Sequence, residues 1–344
     1  MKILIIGGTG FLGRHLVTAA QTQHHQVTLF HRGNHPSEGL ADVEEIYGDR
    51  NDGLGALKNR QWDAVIDTCG YLPHTVTSVA EALCGSVAQY VFISSVAAYA
   101  DFSAVNYSET APLANLTAEQ AVRAAQLDAK ANLTASGLAD LYGPLKALCE
   151  QQAQRVFGNG ALIVRPGVLV GPHDPTDRFT YWARRVAAGG DILAPGRPGR
   201  FVQFIDARDV ADWVISMIES KQSGVYNVTG EPFTLSFGKF LEAIKGVTNS
   251  HAAFIWVGED VLRQEQVEAW SELPLYLPES ITKMAGFLSA NVQRALAEGL
   301  HFRALGVTIQ DTLAWRATWP DHLKAGLSTA KEQQLLAKHA LRVK

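Results

Sequence analysis

The stretch Met1-Lys2-Ile3-Leu4-Ile5-Ile6-Gly7-Gly8-Thr9-Gly10-Phe11-Leu12-Gly13 decides the fold. Residues 3–6 form an apolar, β-branched run that glycines end at once, and a pattern of helical period begins inside the glycine segment. A strand that turns directly into a helix presents backbone N–H groups at the positive end of the helix. Glycine lets that backbone approach an anion without a Cβ in the way, and Gly13 lets the helix pack closely on the strand. The nucleotide-hydrolysing signature Gly-x-x-x-x-Gly-Lys-Ser/Thr is absent here, so the turn predicts a dinucleotide contacted by Gly7, Thr9, Gly10, Phe11, Leu12 and Gly13.

Outward from this turn, short apolar runs at 3–6, 27–30, 44–47, 64–67, 90–93 and 162–165 alternate with helical patterns at 11–21, 75–83 and 145–156. Strands that are apolar almost throughout are strands covered on both faces, so the expectation is an α/β, Rossmann-type doubly wound parallel sheet. After Arg165 five prolines fall in a Gly-rich span up to Pro198, which reads as loops. Further strands at 201–205 and 225–228 flank a helix at 210–219, and a smaller α/β substrate lobe follows from 235–245, 253–257 and 308–318. The expected division is 1–170 plus 201–230 for the dinucleotide-binding domain, 171–200 plus 231–320 for the substrate-binding lobe, and 321–344 for an exposed C-terminal helical tail.

Composition narrows the function classes. The 344 residues carry 30 basic and 34 acidic side chains, a balance that gives no footprint for nucleic acid. The opening apolar run is too short for a signal peptide or a membrane span, so a cytoplasmic protein without a membrane partner is expected. Cys69, Cys84 and Cys149 are an odd set without C-x-x-C spacing, which predicts reduced thiols. The histidines, His24, His25, His31 and His35 among them, show no metal-ligand spacing, so no metal is expected and a surface position is.

At the end of the second strand stands Phe30-His31-Arg32-Gly33, with a cation where an NAD-selecting fold usually has a carboxylate. A guanidinium binds a 2′-phosphate bidentately and stacks on adenine, so NADP is the preferred cofactor, with NAD the alternative. Asp49 and Arg50, after the third strand, are candidates for the adenine edge.

The fifth strand ends in Ser94-Ser95-Val96-Ala97-Ala98-Tyr99, and a helix opens at Tyr142-Gly143-Pro144-Leu145-Lys146. Tyr142 and Lys146, four apart, share one helix face. A phenol has an ordinary pKa of ~10, and a neighbouring ammonium is the means to lower it, which makes Lys146 the expected tuner of Tyr142. A serine at the carboxyl end of a parallel strand lies where such sheets bind ligands.

With these motifs in this order, together with Arg165-Pro166-Gly167, Gly171-Pro172 and Phe204-Ile205-Asp206-Ala207-Arg208-Asp209-Val210, the chain resembles the short-chain dehydrogenase/reductase superfamily in its extended or atypical, epimerase/dehydratase-like branch. The resemblance implies Ser95, Tyr142 and Lys146 as the catalytic set, and Pro166, Gly167 and Val168 beside the nicotinamide. Two departures stand out. Asp67-Thr68-Cys69-Gly70-Tyr71 replaces an Asn-Ala-Gly type segment, which puts Cys69 at the cofactor pocket, and the Ser95-to-Tyr142 interval is lengthened by an Ala-rich insert at 114–136.

The expected function is an NAD(P)-dependent oxidoreductase acting by hydride transfer at a carbonyl/alcohol centre of a small molecule. The alternatives are a nucleotide-sugar epimerase and, on the same fold, a catalytically silent NADP sensor or RNA-binding protein. A 4,6-dehydratase is disfavoured because Val96-Ala97 occupy the place of its Asp-Glu pair. Tyr71, Arg178 and Tyr181 are the substrate candidates, and a homodimer is left open.

Overall fold

A computed structural model describes residues 1–34, 39–40, 43–129, 131, 133–318 and 322–343. Seven strands, β1 (Lys2–Ile6), β2 (Gln26–His31), β3 (Glu44–Tyr47), β4 (Trp62–Asp67), β5 (Val87–Ile93), β6 (Ala161–Pro166) and β10 (Gly224–Val228), form one sheet in the order β10-β6-β5-β4-β1-β2-β3. Every pairing is parallel, and Ile6 lies opposite both Phe30 and Asp67. The order reverses at β1. The crevice of the switch point therefore opens directly over Gly7.

Alternation along β1 explains how both faces are covered. Ile3 and Ile5 join a core with Leu16 and Val17 of α1 (Phe11–Thr22) and Trp213 and Val214 of α7 (Ala207–Glu219). Leu4 and Ile6 face the other way, with Val76 and Val79 of α2 (Pro73–Leu83) and Cys149 and Ala153 of α5 (Tyr142–Phe157). Between β5 and α5 lie α3 (Ala118–Ala125) and α4 (Ala135–Leu138).

The span after Arg165 departs from the expectation of loops. It contains β7 (Leu169–Val170), α6 (Arg178–Ala187) and β8 (Asp191–Pro195). Its prolines sit at the ends of these elements, so punctuation that read as loop bounds short regular pieces. The strand expected at 201–205 shrinks to β9 (Ile205–Asp206), paired with β7. β8 pairs in parallel with β11 (Ala253–Val257), and α6 and α8 (Phe237–Thr248) pack beside them around Phe179, Trp182, Phe237 and Phe240. Shorter helices α9 (Glu259–Gln264) and α10 (Gln293–Ala297) precede α11 (Leu305–Ala317).

The last helix, α12 (Thr329–Val343), is exposed over most of its length, as expected, but is docked at its start. Glu332 is buried, pairs with Arg185 at 2.6 Å and accepts the Leu193 amide at 3.1 Å, which docks the helix start on β8. Among the histidines, His24 is exposed as the surface reading expects, while His31 and His15 depart from it. His31 is buried and meets Glu45 at 2.9 Å, while the half-buried His15 lies against the Pro172 carbonyl at 2.9 Å, and its pKa falls to about 4 because burial penalises the imidazolium. His35 lies outside the described residues.

Candidate functional site

The glycine turn has the geometry of an anion cradle. Gly7 adopts φ +82°, and its amide donates to the Phe30 carbonyl at 3.1 Å. A Cβ at Gly13 would stand 2.6 Å from the Gly7 oxygen, so only glycine lets α1 sit this close to β1. A Cβ at Gly10 would meet nothing nearer than that oxygen at 3.5 Å, and no side chain caps α1. The helix end thus faces open space with uncapped N–H groups, which fits the pyrophosphate of a dinucleotide. Thr9 and Leu12 are buried behind the turn, and the Phe11 ring packs edge-on to His15 at 5.7 Å.

The floor beneath the turn is a buried charge network. Arg50 reaches from the end of β3 to Asp67 at the end of β4, with Nη1 to Oδ1 at 3.0 Å and Nη2 to Oδ2 at 2.7 Å. The Tyr90 hydroxyl donates to Asp67 Oδ2 at 2.8 Å and the Cys69 amide to Oδ1 at 3.2 Å. Arg50 was expected at an adenine edge. Its guanidinium is instead engaged by the fully buried Asp67, whose pKa stays below the ordinary value because the charge and hydrogen bonds of Arg50 offset a large desolvation penalty. Asp49 keeps a loop position, its Oδ1 accepting from the Asn51 backbone and side chain at 2.9 and 2.6 Å.

Cys69 lies between the floor and the turn. Its sulfur is 3.4 Å from Arg50 Nη1 and 2.9 Å from where a Gly7 Cβ would stand. No basic neighbour of Cys69 exists in sequence, but Arg50 supplies one in space. Burial still dominates and raises the thiol pKa. Arg32 is exposed just past β2.

Ser95 and Tyr142 meet across the crevice. The Ser95 hydroxyl accepts the Ala97 amide at 3.1 Å, capping a single turn that packs against the start of α5. The close approach depends on Gly143, where a Cβ would fall 2.2 Å from the Ala97 oxygen. Burial raises the Tyr142 pKa, the Ser95 hydroxyl lowers it, and Cys149 adds to the rise. Lys146 plays a different part from the tuner expected. Its ammonium donates to the carbonyls of Gly70 at 2.9 Å and Ile93 at 2.6 Å and lies 4.3 Å from the Phe92 ring centroid. Burial lowers its pKa.

The remaining candidates separate. Tyr71 is at the crevice, its ring 6.3 Å from that of Tyr142. Pro166 closes β6, the Gly167 amide donates to the Val228 carbonyl at 3.2 Å, and the Val168 carbonyl accepts the Ile205 amide at 2.9 Å. Arg178 lies at the start of α6 with its guanidinium 5.1 Å from the Trp270 centroid. Tyr181 is a core residue of the lobe rather than a substrate contact, packed edge-on to Trp182 at 4.9 Å and covered by Gly326, where a Cβ would overlap its ring.

Sequence reasoning missed another buried ion pair at the crevice. Glu150, one turn beyond Lys146, holds Arg165 through Oε1–Nε at 2.9 Å and Oε2–Nη2 at 2.6 Å, and also accepts the Ser94 hydroxyl. Arg165 Nη1 donates to the Tyr99 hydroxyl at 2.8 Å, which donates to Asn227 Oδ1 at 2.7 Å. The four-residue spacing Tyr142, Lys146, Glu150 on one helix face was the available signal.

Comparison with known proteins agrees with this architecture. UDP-glucuronic acid 4-epimerase from Bacillus cereus in complex with NAD superimposes with a TM-score of 0.66 over 93% of this chain and 100% of that one, at 14% identity. UDP-glucose-4-epimerase from Stenotrophomonas maltophila, with bound NAD and formylated UDP-arabinopyranose, gives 0.65 over 92% and 98%, at 19% identity. At these identities the likeness is one of fold. A curated relative, the chloroplast stem-loop binding protein of 41 kDa b from Arabidopsis thaliana, is 26% identical over 252 residues, covering 67% of this chain and 59% of that protein's length. The NAD dependent epimerase/dehydratase family profile matches residues 3–229, from the first strand through the last strand of the main sheet, and the chain belongs to that family.

Proposed function

We propose that the chain is an NAD(P)-dependent oxidoreductase that acts at a carbonyl/alcohol centre of a small molecule. The observation that carries this reading is the start of α5, with Tyr142 and, one turn on, the buried Lys146, packed by Gly143 against the turn that Ser95 caps, at the crevice above the glycine turn. A bound dinucleotide supplies the hydride acceptor or donor. Ser95 holds the substrate oxygen, and Tyr142 gives it a proton or takes one. Burial keeps the phenol protonated near neutrality, so the donating direction is ready as the chain stands. Two N–H groups of Lys146 are spent on Gly70 and Ile93, and its third is available for a ribose hydroxyl.

NADP is the cofactor that Arg32 favours, since a guanidinium there suits a 2′-phosphate. The apolar Val96 after Ser95 provides no carboxylate for eliminating water, which argues against a 4,6-dehydratase. Epimerisation through a transient ketone is the second reading, favoured by the 4-epimerases among the structural relatives. The curated relative is named for stem-loop binding, but a chain with 34 acidic against 30 basic side chains points to the crevice rather than to nucleic acid.

The test combines fluorescence titration of NADPH and NADH with a panel of carbonyl compounds and nucleotide sugars. Tyr142→Phe is expected to bind dinucleotide as the parent does and to lose turnover; retained turnover removes the assignment. Equal affinity for the two cofactors removes the NADP preference.

A further inference from the structure

The segment between Ser95 and Tyr142 has no part in the chemistry above, yet it is tied to both ends of the crevice. Its base is anchored next to the Ser95 turn, where the Ala114 amide donates to the Ala98 carbonyl at 2.8 Å and the Ala100 amide to the Pro112 carbonyl at 2.9 Å. Helix α3 follows, closed by a reciprocal capping box between Thr117 and Gln120. Gln120 Nε2 and Arg123 then reach Asp140, two residues before Tyr142. Farther on, the Ala129 carbonyl accepts from Asn51 Nδ2 at 3.1 Å. Asn51 in turn holds Asp49 Oδ1 through its backbone and side-chain N–H groups.

The underside of this segment is apolar. Leu116, Ala124, Leu127, Ala129 and Leu133 pack on a cluster built from Leu72, Leu138, Leu141 and Leu145, with Tyr71 and Tyr142 at its edge. The same stretch of chain thus touches the reactive tyrosine over β5 and the loop after β3. In the sheet order, β4, β1 and β2 lie between those two places. Were a dinucleotide seated on the glycine turn, with its nicotinamide at Tyr142 and its adenosine toward Asp49, it would lie under that span.

We propose that residues 114–129, with 133–141, form a strap that completes the adenosine end of the dinucleotide site and slows release of the cofactor. The inference rests on the dinucleotide reading above and deepens it. A chain that holds its dinucleotide between turnovers suits chemistry in which the cofactor is regenerated in place, because no exchange step then limits the cycle.

The measurement is the dissociation rate of NADPH and of NADH from the full-length protein, read by stopped-flow fluorescence on displacement with excess oxidised cofactor. Two variants loosen the strap without touching the proposed cofactor contacts: Leu127→Asp, and replacement of 118–127 by a Gly-Ser linker of equal length. Each is checked for the parent's circular dichroism and thermal midpoint. Release is expected to quicken about tenfold or more in both, with a smaller change in the association rate. Release at the parent's rate from a folded variant overturns the strap and leaves the dinucleotide reading intact. Absence of dinucleotide binding by the parent chain overturns both.

Discussion

Gly143→Ala tests how the reactive pair is assembled. Gly143 lies between Tyr142 and Pro144 in the first turn of α5, and an added Cβ would stand 2.2 Å from the Ala97 carbonyl oxygen, where real Cβ contacts stop near 3.0 Å. The carbonyl belongs to the turn that Ser95 caps and cannot swing aside like the end of a flexible side chain. Something must therefore yield by about an ångström, and the helix start that carries Tyr142 is the part free to move outward. Overpacking of this kind costs roughly 1–3 kcal/mol of stability. Its effect on chemistry is larger, since displacing one reacting group by about 1 Å costs on the order of a hundredfold in rate. The change leaves the glycine turn itself unaltered, so dinucleotide affinity should stay within a few-fold of the parent. The assay is turnover on whichever substrate the panel identifies, alongside cofactor titration and urea unfolding, with Gly160→Ala as control because a Cβ there meets only the Ala88 oxygen at 3.9 Å. Parent-level turnover in a folded Gly143→Ala protein would refute the claim that this contact sets the Ser95–Tyr142 distance.

Arg50→Ala leaves Asp67 charged and fully buried without its partner, so urea unfolding should show a loss of roughly 3–5 kcal/mol; a loss below about 1 kcal/mol contradicts the floor described above. Stability should also vary with pH through two opposed groups. His15, held near a pKa of about 4, stays neutral in the folded chain while the unfolded chain gains a proton below 6.5, so its contribution is complete above pH 6.5 and is lost as pH falls toward 4, by up to about 3 kcal/mol. Burial of Asp174 pushes its carboxyl up to about 6, and the folded chain then keeps a proton that the unfolded chain releases above 3.8, so this part of the stability is lost as pH rises from 3.8 through 6. Urea midpoints from pH 4 to 7 should fall more steeply on acidification in Asp174→Asn and less steeply in His15→Gln than in the parent.

The main sheet was legible because its strands announce themselves locally. Runs such as 3–6 and 64–67 are apolar on every residue or nearly so, and burial on both faces leaves no other use for them. The lobe was harder because its elements are short and depend on distant partners. β8, at Asp191–Pro195, is a strand through its pairing with β11, some sixty residues later, and nothing within five residues states that pairing. Tyr181 misled for a similar reason. Beside an arginine near the start of a helix it reads as a substrate contact, and only the φ +110° turn at Gly326, far along the chain, closes over its ring. Arg50 likewise follows a strand where adenine contacts are usual, but which carboxylate it meets is decided by the strand order.

Two buried ion pairs at the crevice bear on why it keeps its shape. Replacing a buried pair with apolar residues of similar size is often neutral or favourable for stability, so neither Arg50–Asp67 nor Glu150–Arg165 is explained by stability alone. Both occupy places where an apolar contact would leave a degree of freedom. Arg50–Asp67 joins the end of β3 to the end of β4 across two intervening strands, and its bidentate geometry fixes an angle as well as a distance. Glu150–Arg165 joins α5 to β6, and through Ser94 and Tyr99 it grips both sides of the turn that carries Ser95. A slip of α5 by a fraction of a turn would keep its apolar face on the sheet but would break the bonds of Glu150 to Arg165 and Ser94. The Glu150–Arg165 pair therefore sets the position of Tyr142 and Lys146 along the crevice, which apolar packing, being non-directional, leaves undetermined, while Arg50–Asp67 fixes the strand ends beneath the glycine turn.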